Sequence, residues 1–477
     1  VMGKNLKRAF YDVQRQAHTY RPLEERKLDF KEVEVPPNPE VLKIQAERCM
    51  DCGIPFCHGT GCPLGNQIPE FNEAVANGRL EDAWNLLSST SPFPEFTSRI
   101  CPALCEGSCT CGLNFEPVTV RQIERYIVEQ AYEKGLVKVR HVAKRSGKSV
   151  AVIGAGPSGL AAATILNQHG HKVTVYERDL QAGGLLRYGI PDFKLKKEII
   201  ERRVKLMEAE GVKFETGVNI GVDISGEYLK RKFDAVVVAA GTRQPRDLKI
   251  PGRELDGILP ATKFLAEQNR LVSGEHTGEH PYSAKGRRVL VIGGGDTGSD
   301  CVGTSIRQGA ASVVQVEIMP QPPEKRSVNT PWPMWPYMLR TSSSHMEGCE
   351  RKWNIATKSF FGKDGKVAGV KCVLADWEFS PQGKPLKFTE KGEEFEIQAD
   401  LVLLAMGFTG IPAEDFYPAQ LGLSLERNLI KANPDGETAV AGVFAAGDVK
   451  SGPSLVVRAI ASGRQVAAKV NDYLNTL

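Results

Sequence analysis

No run of 18 consecutive apolar residues occurs in the 477-residue chain, which excludes a membrane-spanning helix. A dense Lys/Arg stripe is missing too, and the net charge of +4 is mild, so nucleic acid is not an expected partner. Nothing at the N-terminus resembles a signal peptide, so a reducing, cytoplasmic setting is expected and a disulfide framework is disfavoured. What the chain does contain is ample core material. With 41% hydrophobic and 25% charged residues, it should fold into two to four globular domains.

Repetition is confined to one type of unit. Gly154-Ala-Gly156-Pro157-Ser158-Gly159 follows the apolar run Ser149–Ile153, and Gly293-Gly-Gly295-Asp296-Thr297-Gly298 follows Arg288–Ile292. Each has the strand, tight turn and helix start of a dinucleotide-binding βαβ unit. Gly154 and Gly293 make the turn, Gly156 and Gly295 admit a pyrophosphate, and Gly159 and Gly298 let helix and strand pack closely. The pyrophosphate is then expected at the helix N-terminus, where free N–H groups and the dipole favour negative charge. Second strands end at Glu177, 23 residues after Gly154, and at Glu317, 24 residues after Gly293. Both carboxylates are placed to accept bonds from ribose hydroxyls.

Further on, Val443-Phe-Ala-Ala-Gly447-Asp448 reads as a strand ending in a turn, and the segment after Gly452, with Ser454 and Leu455, opens a helix. A Gly-Asp turn suits the ribityl and phosphate groups of a flavin, and the helix start suits the pyrimidine edge of the reduced ring. These residues, with Ala239-Ala-Gly-Thr242, make the stretch from about residue 146 onward similar to the two-dinucleotide flavoproteins, whose members bind FAD first and NAD(P)H second. Gly184, Leu185 and Arg187 occupy the stretch where the disulfide reductases of that superfamily carry a redox-active cysteine pair. Electrons must therefore leave the flavin another way.

Eight of the 11 cysteines fall at Cys49, Cys52, Cys57, Cys62, Cys101, Cys105, Cys109 and Cys111. Thiolate binds both zinc and iron-sulfur clusters, and a flavin nearby needs a one-electron outlet, which favours iron-sulfur. Cys62-Pro63 and Cys101-Pro102 are of a type that recurs in ferredoxin-like runs. Together with Cys49-Met-Asp-Cys-Gly-Ile-Pro-Phe-Cys57, Cys62-Pro-Leu-Gly-Asn-Gln-Ile-Pro69, Arg99-Ile-Cys-Pro102 and Cys105-Glu-Gly-Ser-Cys109, they make nearly the whole chain resemble the small-subunit family of glutamate synthase.

That resemblance implies two [4Fe-4S] clusters with interleaved ligands. Cys49, Cys52, Cys57 and Cys109 would hold one, and Cys62, Cys101 and Cys105 the other, with Glu124 as the fourth ligand. Two departures stand out: the Cys57 to Cys62 spacing is one residue longer than the family's, and Cys111 is an additional thiol beside Cys109. The implied fold is α/β, with a helical iron-sulfur domain over 1–145, a discontinuous FAD domain over 146–284 and 400–477, and an NAD(P)H domain over 285–399. Both nucleotide domains are expected to be Rossmann-like. Leu401–Leu404 is expected to return to the first sheet, and helices are expected over Ile68–Leu87 and Val120–Gly135.

The resemblance further implies an electron-input subunit in which NADPH or NADH reduces FAD and the clusters carry electrons to a large subunit. That hetero-oligomeric partner, containing FMN and iron-sulfur, would form glutamate from glutamine and 2-oxoglutarate. Hydride transfer needs orientation rather than proton chemistry, so no catalytic acid or base is expected in this chain. Arg187 and Arg243 are candidate phosphate or flavin neighbours. Glu317 favours NADH, whereas Lys325 and Arg326 would favour NADPH if they folded back onto it. A diaphorase serving another acceptor such as ferredoxin, and a non-enzymatic zinc-bearing redox sensor, are the alternative readings. The Pro/Trp-rich stretch Pro320–Pro336 is expected to be a stiff packing loop, with a substrate lid or a partner contact as the alternative.

Overall fold

A computed structural model describes residues 9–477. Its framework is two parallel sheets of the same construction. The first runs in the order Val443–Ala445, Ala235–Val238, Ser149–Ile153, Lys172–Glu177, Lys213–Thr216. The second runs Glu350–Lys352, Ser312–Val316, Arg288–Ile292, Leu401–Leu404, Ile258–Pro260. In each, a central strand leads through a Gly-rich turn into a helix, Pro157–Gln168 or Asp296–Arg307. Strands sealed on both faces by helices must be continuously apolar, as Val150-Ala-Val-Ile153 and Val289-Leu-Val-Ile292 are.

Leu401–Leu404 corrects one expectation and moves the domain limits with it. It pairs with Val289–Ile292 on one side and Ile258–Pro260 on the other, inside the second sheet. An all-apolar strand is equally at home in either sheet, so its composition does not choose between them. The second unit accordingly begins before Ile258 rather than near residue 285, and Val443–Ala445 is the strand that closes the first sheet.

Residues Ile355–Lys363, Lys366–Phe379 and Pro385–Gln398 form an antiparallel three-stranded sheet that had no counterpart among the sequence expectations. Its inner part packs on the second unit through Phe360, Val370 and Cys372, while the last strand is exposed over most of its length.

The N-terminal region is helical as expected. Asn38 caps the Pro39–Ala46 helix by accepting from the Val41 N–H, and Pro39 fits the first turn, where no N–H is needed. The helix expected over 68–87 is two, Ile68–Ala76 and Leu80–Thr90, because Gly78 adopts a left-handed turn with φ of 71°. Val120–Glu133 runs through the centre of this region and buries Ile123, Ile127 and Val128 completely, each side chain contributing about 1.5–3 kcal/mol. Phe93, Phe96, Leu64 and Leu104 join the core of the first sheet, so the helical region and the first nucleotide unit share one hydrophobic interior.

The Pro/Trp-rich loop bridges the second unit to the helical region. Trp332 donates to Ser108 O at 3.2 Å and packs against Phe56 with the ring planes tilted by 53°, and Arg326 donates to Gly107 O at 2.8 Å. Arg326 also donates to Thr330 O and Met334 O, so three of its N–H groups help hold this loop.

Candidate functional site

Both Gly-rich turns are shaped by backbone contact. Gly154 has φ of 101° and a Cβ there would stand 2.6 Å from Ala239 O; Gly293 has φ of 123° and would meet Ala405 O at 2.3 Å. At Gly159 and Gly298 a Cβ would collide with the carbonyl of the turn itself, at 1.9 and 2.3 Å. These two glycines therefore serve helix-strand packing, while Gly156 and Gly295 face open space. Neither following helix has a side-chain N-cap, which leaves its first N–H groups for a ligand.

A cavity of about 820 Å³ opens in front of the first turn. Gly154, Gly156, Pro157, Ser158, Glu177, Gly184, Leu185, Thr242, Asp448, Ser454 and Leu455 line it, and from the second unit Asp296 and Thr297 reach its far side. The hydroxyls of Ser158 and Thr242 are buried there without a protein partner, as expected of groups that bond a ligand. Ser454 Oγ donates to Asp448 at 2.8 Å, and burial raises the Asp448 carboxyl above its ordinary range. The Val456–Leu474 helix has no side-chain cap, and its start at Leu455 and Val456 lines the cavity. Polar donors at one end and an apolar body suit a bound FAD.

Arg187 is a correction. Its side chain is buried, with Nε donating to Ala182 O at 3.1 Å and the guanidinium 3.2 Å from Glu201, and it does not line the cavity. Short-range packing of the Leu185–Tyr188 turn takes it inward. Arg243 does line the cavity, paired to Asp415. Gly447 lies behind the wall, where a Cβ would press on Ser158 at 2.7 Å. Gly293, Gly295 and Glu317 sit at the open end of the second unit, outside this cavity.

Glu177 Oε2 accepts from Ala155 N at 2.8 Å, and Oε1 from Asp179 N at 3.0 Å. Burial pushes its carboxyl up to about 7 against those two N–H donors. Ribose hydroxyls would donate to the ionised form, so binding FAD below that pH releases a proton. We expect FAD affinity of the deflavinated chain to rise by at most about tenfold per pH unit up to pH 7 and to level off above. Flavin fluorescence quenching titrated from acid to alkaline pH checks this, and a flat profile would contradict the assignment.

Sequence reading missed the other wall. Tyr20, Glu32, Val33 and Glu34 form a strap over the cavity, backed by Arg99, Arg121 and Arg125. Arg125 meets Glu32 at 2.8 Å and Arg121 meets Glu34 at 2.7 Å, so the charges are paired internally. Lys194, paired with Asp300, enters from the first unit. Nothing in the spacing of residues 20–34 hints that they cover a site more than 100 residues downstream.

The clustered cysteines are all free thiols, and they separate into two neighbourhoods. Cys49, Cys52, Cys57 and Cys109 act on one another: ionised neighbours in this group help burial push Cys49 up to about 11 and Cys57 to about 12. Cys62, Cys101 and Cys105 line a small pocket with Glu124. There burial pushes Cys62 to about 11, Cys101 to about 12 and Glu124 to about 7. Asn66 Nδ2 holds the Glu124 carboxylate at 2.9 Å. Cys111 lies beside Cys109 and Cys52, with its thiol donating to Glu116 O at 3.3 Å. Among the described residues no three His, Cys, Asp or Glu side chains converge as on a single metal ion.

Two sets of buried thiols without a cation are electrostatically unfavourable once ionised, so the donor chemistry fits a positively charged iron-sulfide core in each. A Cβ on Gly61 would stand 2.8 Å from Cys105 Cα, so this glycine is what lets the Cys57–Cys62 loop close over the second set. Cys101 lines both this pocket and the large cavity, and Val457 reaches the pocket from the helix whose start lines the cavity.

Comparison with known proteins agrees with this layout. Residues 148–463 match the family model described as pyridine nucleotide-disulphide oxidoreductase. Residues 26–136 match that of dihydropyrimidine dehydrogenase domain II, 4Fe-4S cluster. The chain is 50% identical over 462 residues to the glutamate synthase [NADPH] small chain of Mycobacterium tuberculosis, covering 95% of this chain and 93% of that one. It is 43% identical over 480 residues to glutamate synthase [NADH] of Schizosaccharomyces pombe, covering 97% of this chain and 22% of that much longer protein. In fold it is similar to Mycobacterium tuberculosis FprA in complex with NADPH, with a TM-score of 0.55 at 20% identity over 69% of this chain and 85% of that one.

Proposed function

The chain belongs to the glutamate synthase small-chain family, and from that premise we propose that it is the electron-input subunit of a cytoplasmic glutamate synthase, oxidising NAD(P)H for a large subunit that makes glutamate from glutamine and 2-oxoglutarate. FAD and two [4Fe-4S] clusters, when bound, supply a two-electron acceptor and a one-electron exit. No helix among the described residues is long and apolar enough to cross a membrane. The relatives are named for NADPH in one case and NADH in the other, so both nucleotides are compatible with membership.

The observation that carries this reading is Cys101, which borders the flavin cavity and the second thiol pocket at once. That adjacency makes Cys62, Cys101, Cys105 and Glu124 the set nearer the flavin. Cys49, Cys52, Cys57 and Cys109 then form the outer set, under a loop where Met50 is 40% and Ile54 78% exposed. Those apolar tips are where a large subunit would receive electrons.

This chain's own residues bind, orient and exclude water. The helix start at Leu455, with the Ser158 and Thr242 hydroxyls, holds the flavin's polar edge, and Glu177 accepts the ribose. Asp296 and Thr297 bring the second nucleotide to the opposite wall, while the strap from Tyr20 to Glu34 keeps solvent out. No side chain needs to move a proton for hydride to pass between the two rings.

Anaerobic purification followed by iron, sulfide, zinc and flavin analysis tests the proposal. We expect about eight irons and one FAD per chain, and reduction of a flavin-containing large subunit by NAD(P)H. Zinc without flavin, or failure to reduce that subunit, would refute it.

A further inference from the structure

Glu317 repeats Glu177 bond for bond. Glu317 Oε2 accepts from Gly294 N at 2.6 Å and Oε1 from Met319 N at 3.1 Å. Glu177 Oε2 accepts from Ala155 N at 2.8 Å and Oε1 from Asp179 N at 3.0 Å. In both units the donors are the N–H one residue after the turn glycine and the N–H two residues after the glutamate. Glu177 faces the unit proposed to bind FAD, whose adenosine ribose carries free 2′ and 3′ hydroxyls. A carboxylate locked in the same position in the second unit is therefore set for the same unphosphorylated ribose.

Several cations around Glu317 are engaged with other groups. A Cβ on Gly294 would stand 2.6 Å from Glu317 Oε2, so the absence of a side chain there is what lets the carboxylate rest against the turn. Of the two cations that could fold back toward a 2′-phosphate, Arg326 is held by the Thr330, Met334 and Gly107 carbonyls, and Lys325 is exposed to solvent. Arg340 lies over the Trp335 ring and donates to Pro336 O. Lys352, on the neighbouring strand, is paired with Glu350 at 3.2 Å. No ion pair among the described residues includes Glu317, whose charge is felt by the Tyr337 phenol.

We infer that Glu317 makes the second unit selective for NADH over NADPH, because it accepts from the ribose 2′-hydroxyl and repels a 2′-phosphate. The inference rests on the reading of this unit as the nicotinamide-nucleotide site, and its test separates the two. Binding of NAD⁺ and NADP⁺, neither of which reduces the oxidised flavin, is measured by isothermal titration on the intact flavin-loaded chain and on Glu317→Gln.

The wild-type chain is expected to bind NAD⁺ about 100-fold more tightly than NADP⁺, the scale set by a like-charge contact. Glu317→Gln, which keeps an acceptor oxygen and removes the charge, should narrow that ratio to about tenfold or less, mainly by improving NADP⁺. Equal or tighter binding of NADP⁺ by the wild type, or an unchanged ratio in the variant, overturns the inference. If neither nucleotide binds, it is the nucleotide-site reading itself that fails. A variant that does not fold leaves the wild-type ratio as the deciding measurement.

Discussion

Cys101→Ser is expected to lower the iron of the anaerobically purified chain from about eight to about four per FAD while the flavin is still reduced by NAD(P)H. The cause is local. Cys101 follows the Pro94–Ile100 helix directly, and its thiol shares a pocket with Cys62, Cys105 and Glu124. A serine hydroxyl is far harder to deprotonate than a thiol and offers a poor ligand to iron. The outer set of Cys49, Cys52, Cys57 and Cys109 does not depend on that pocket, so its iron should stay.

Because Cys101 also borders the flavin cavity, losing the inner set opens a gap in the route outward. Flavin bleaching in stopped flow should be nearly unchanged, and reduction of the large subunit should fall to background. Full iron content in the variant, or undiminished export, would sink both the ligand assignment and the order of the two sets. Cys111→Ser is the companion measurement: iron retained there and lost with Cys109→Ser identifies Cys109 as the ligand, and the reverse result would replace it with Cys111.

The glycine turns and the thiol cluster are legible in the sequence because their chemistry is forced by backbone or by ligand type. A turn that must pass under Ala239 O or Ala405 O admits only glycine, so Gly154 and Gly293 are visible in the sequence without any tertiary information. Eight thiols gathered between Cys49 and Cys111 announce a redox or metal centre in the same way. Leu401–Leu404 shows the opposite case. Its four buried apolar residues are what any doubly covered strand needs, and which sheet receives them is decided by register against Val289–Ile292. Arg187 is a candidate phosphate or flavin neighbour in the sequence, yet the Ala182 carbonyl and the Glu201 carboxylate hold it away from the cavity. Arg326 was equally open to either role until the loop containing Trp332 placed it against Gly107. The strap over the cavity was invisible because its partners are supplied by distant helices and it carries no motif of its own.

That strap also sets the second large effect, which we expect from Glu347→Ala. Arg307 reaches the Glu347 carboxylate at 2.5 and 3.0 Å, and both side chains are fully buried. Arg26, from the N-terminal strap, stands 2.9 Å from the same carboxylate and is 5% exposed. Arg307 also donates to Asp29 O at 2.9 Å and lies over the Phe193 ring, and Phe193 O accepts from Val33 N. One buried glutamate thus ties the strap, the first nucleotide unit and the second together. Its net contribution as an ion pair is small, since desolvating three charges offsets most of their attraction.

Its removal is a different matter, because two guanidinium groups are left buried without a counter-charge. We expect a loss of about 3–5 kcal/mol, read as a lower urea midpoint for the cofactor-loaded chain. Glu347→Gln keeps the acceptor oxygen and should fall between the two. Arg26→Ala should cost less than either, since Arg307 keeps its paired contacts. If the buried charges are the cause, the order of midpoints must be wild type, Arg26→Ala, Glu347→Gln, Glu347→Ala. Equal midpoints for the two Glu347 variants would instead assign the loss to packing.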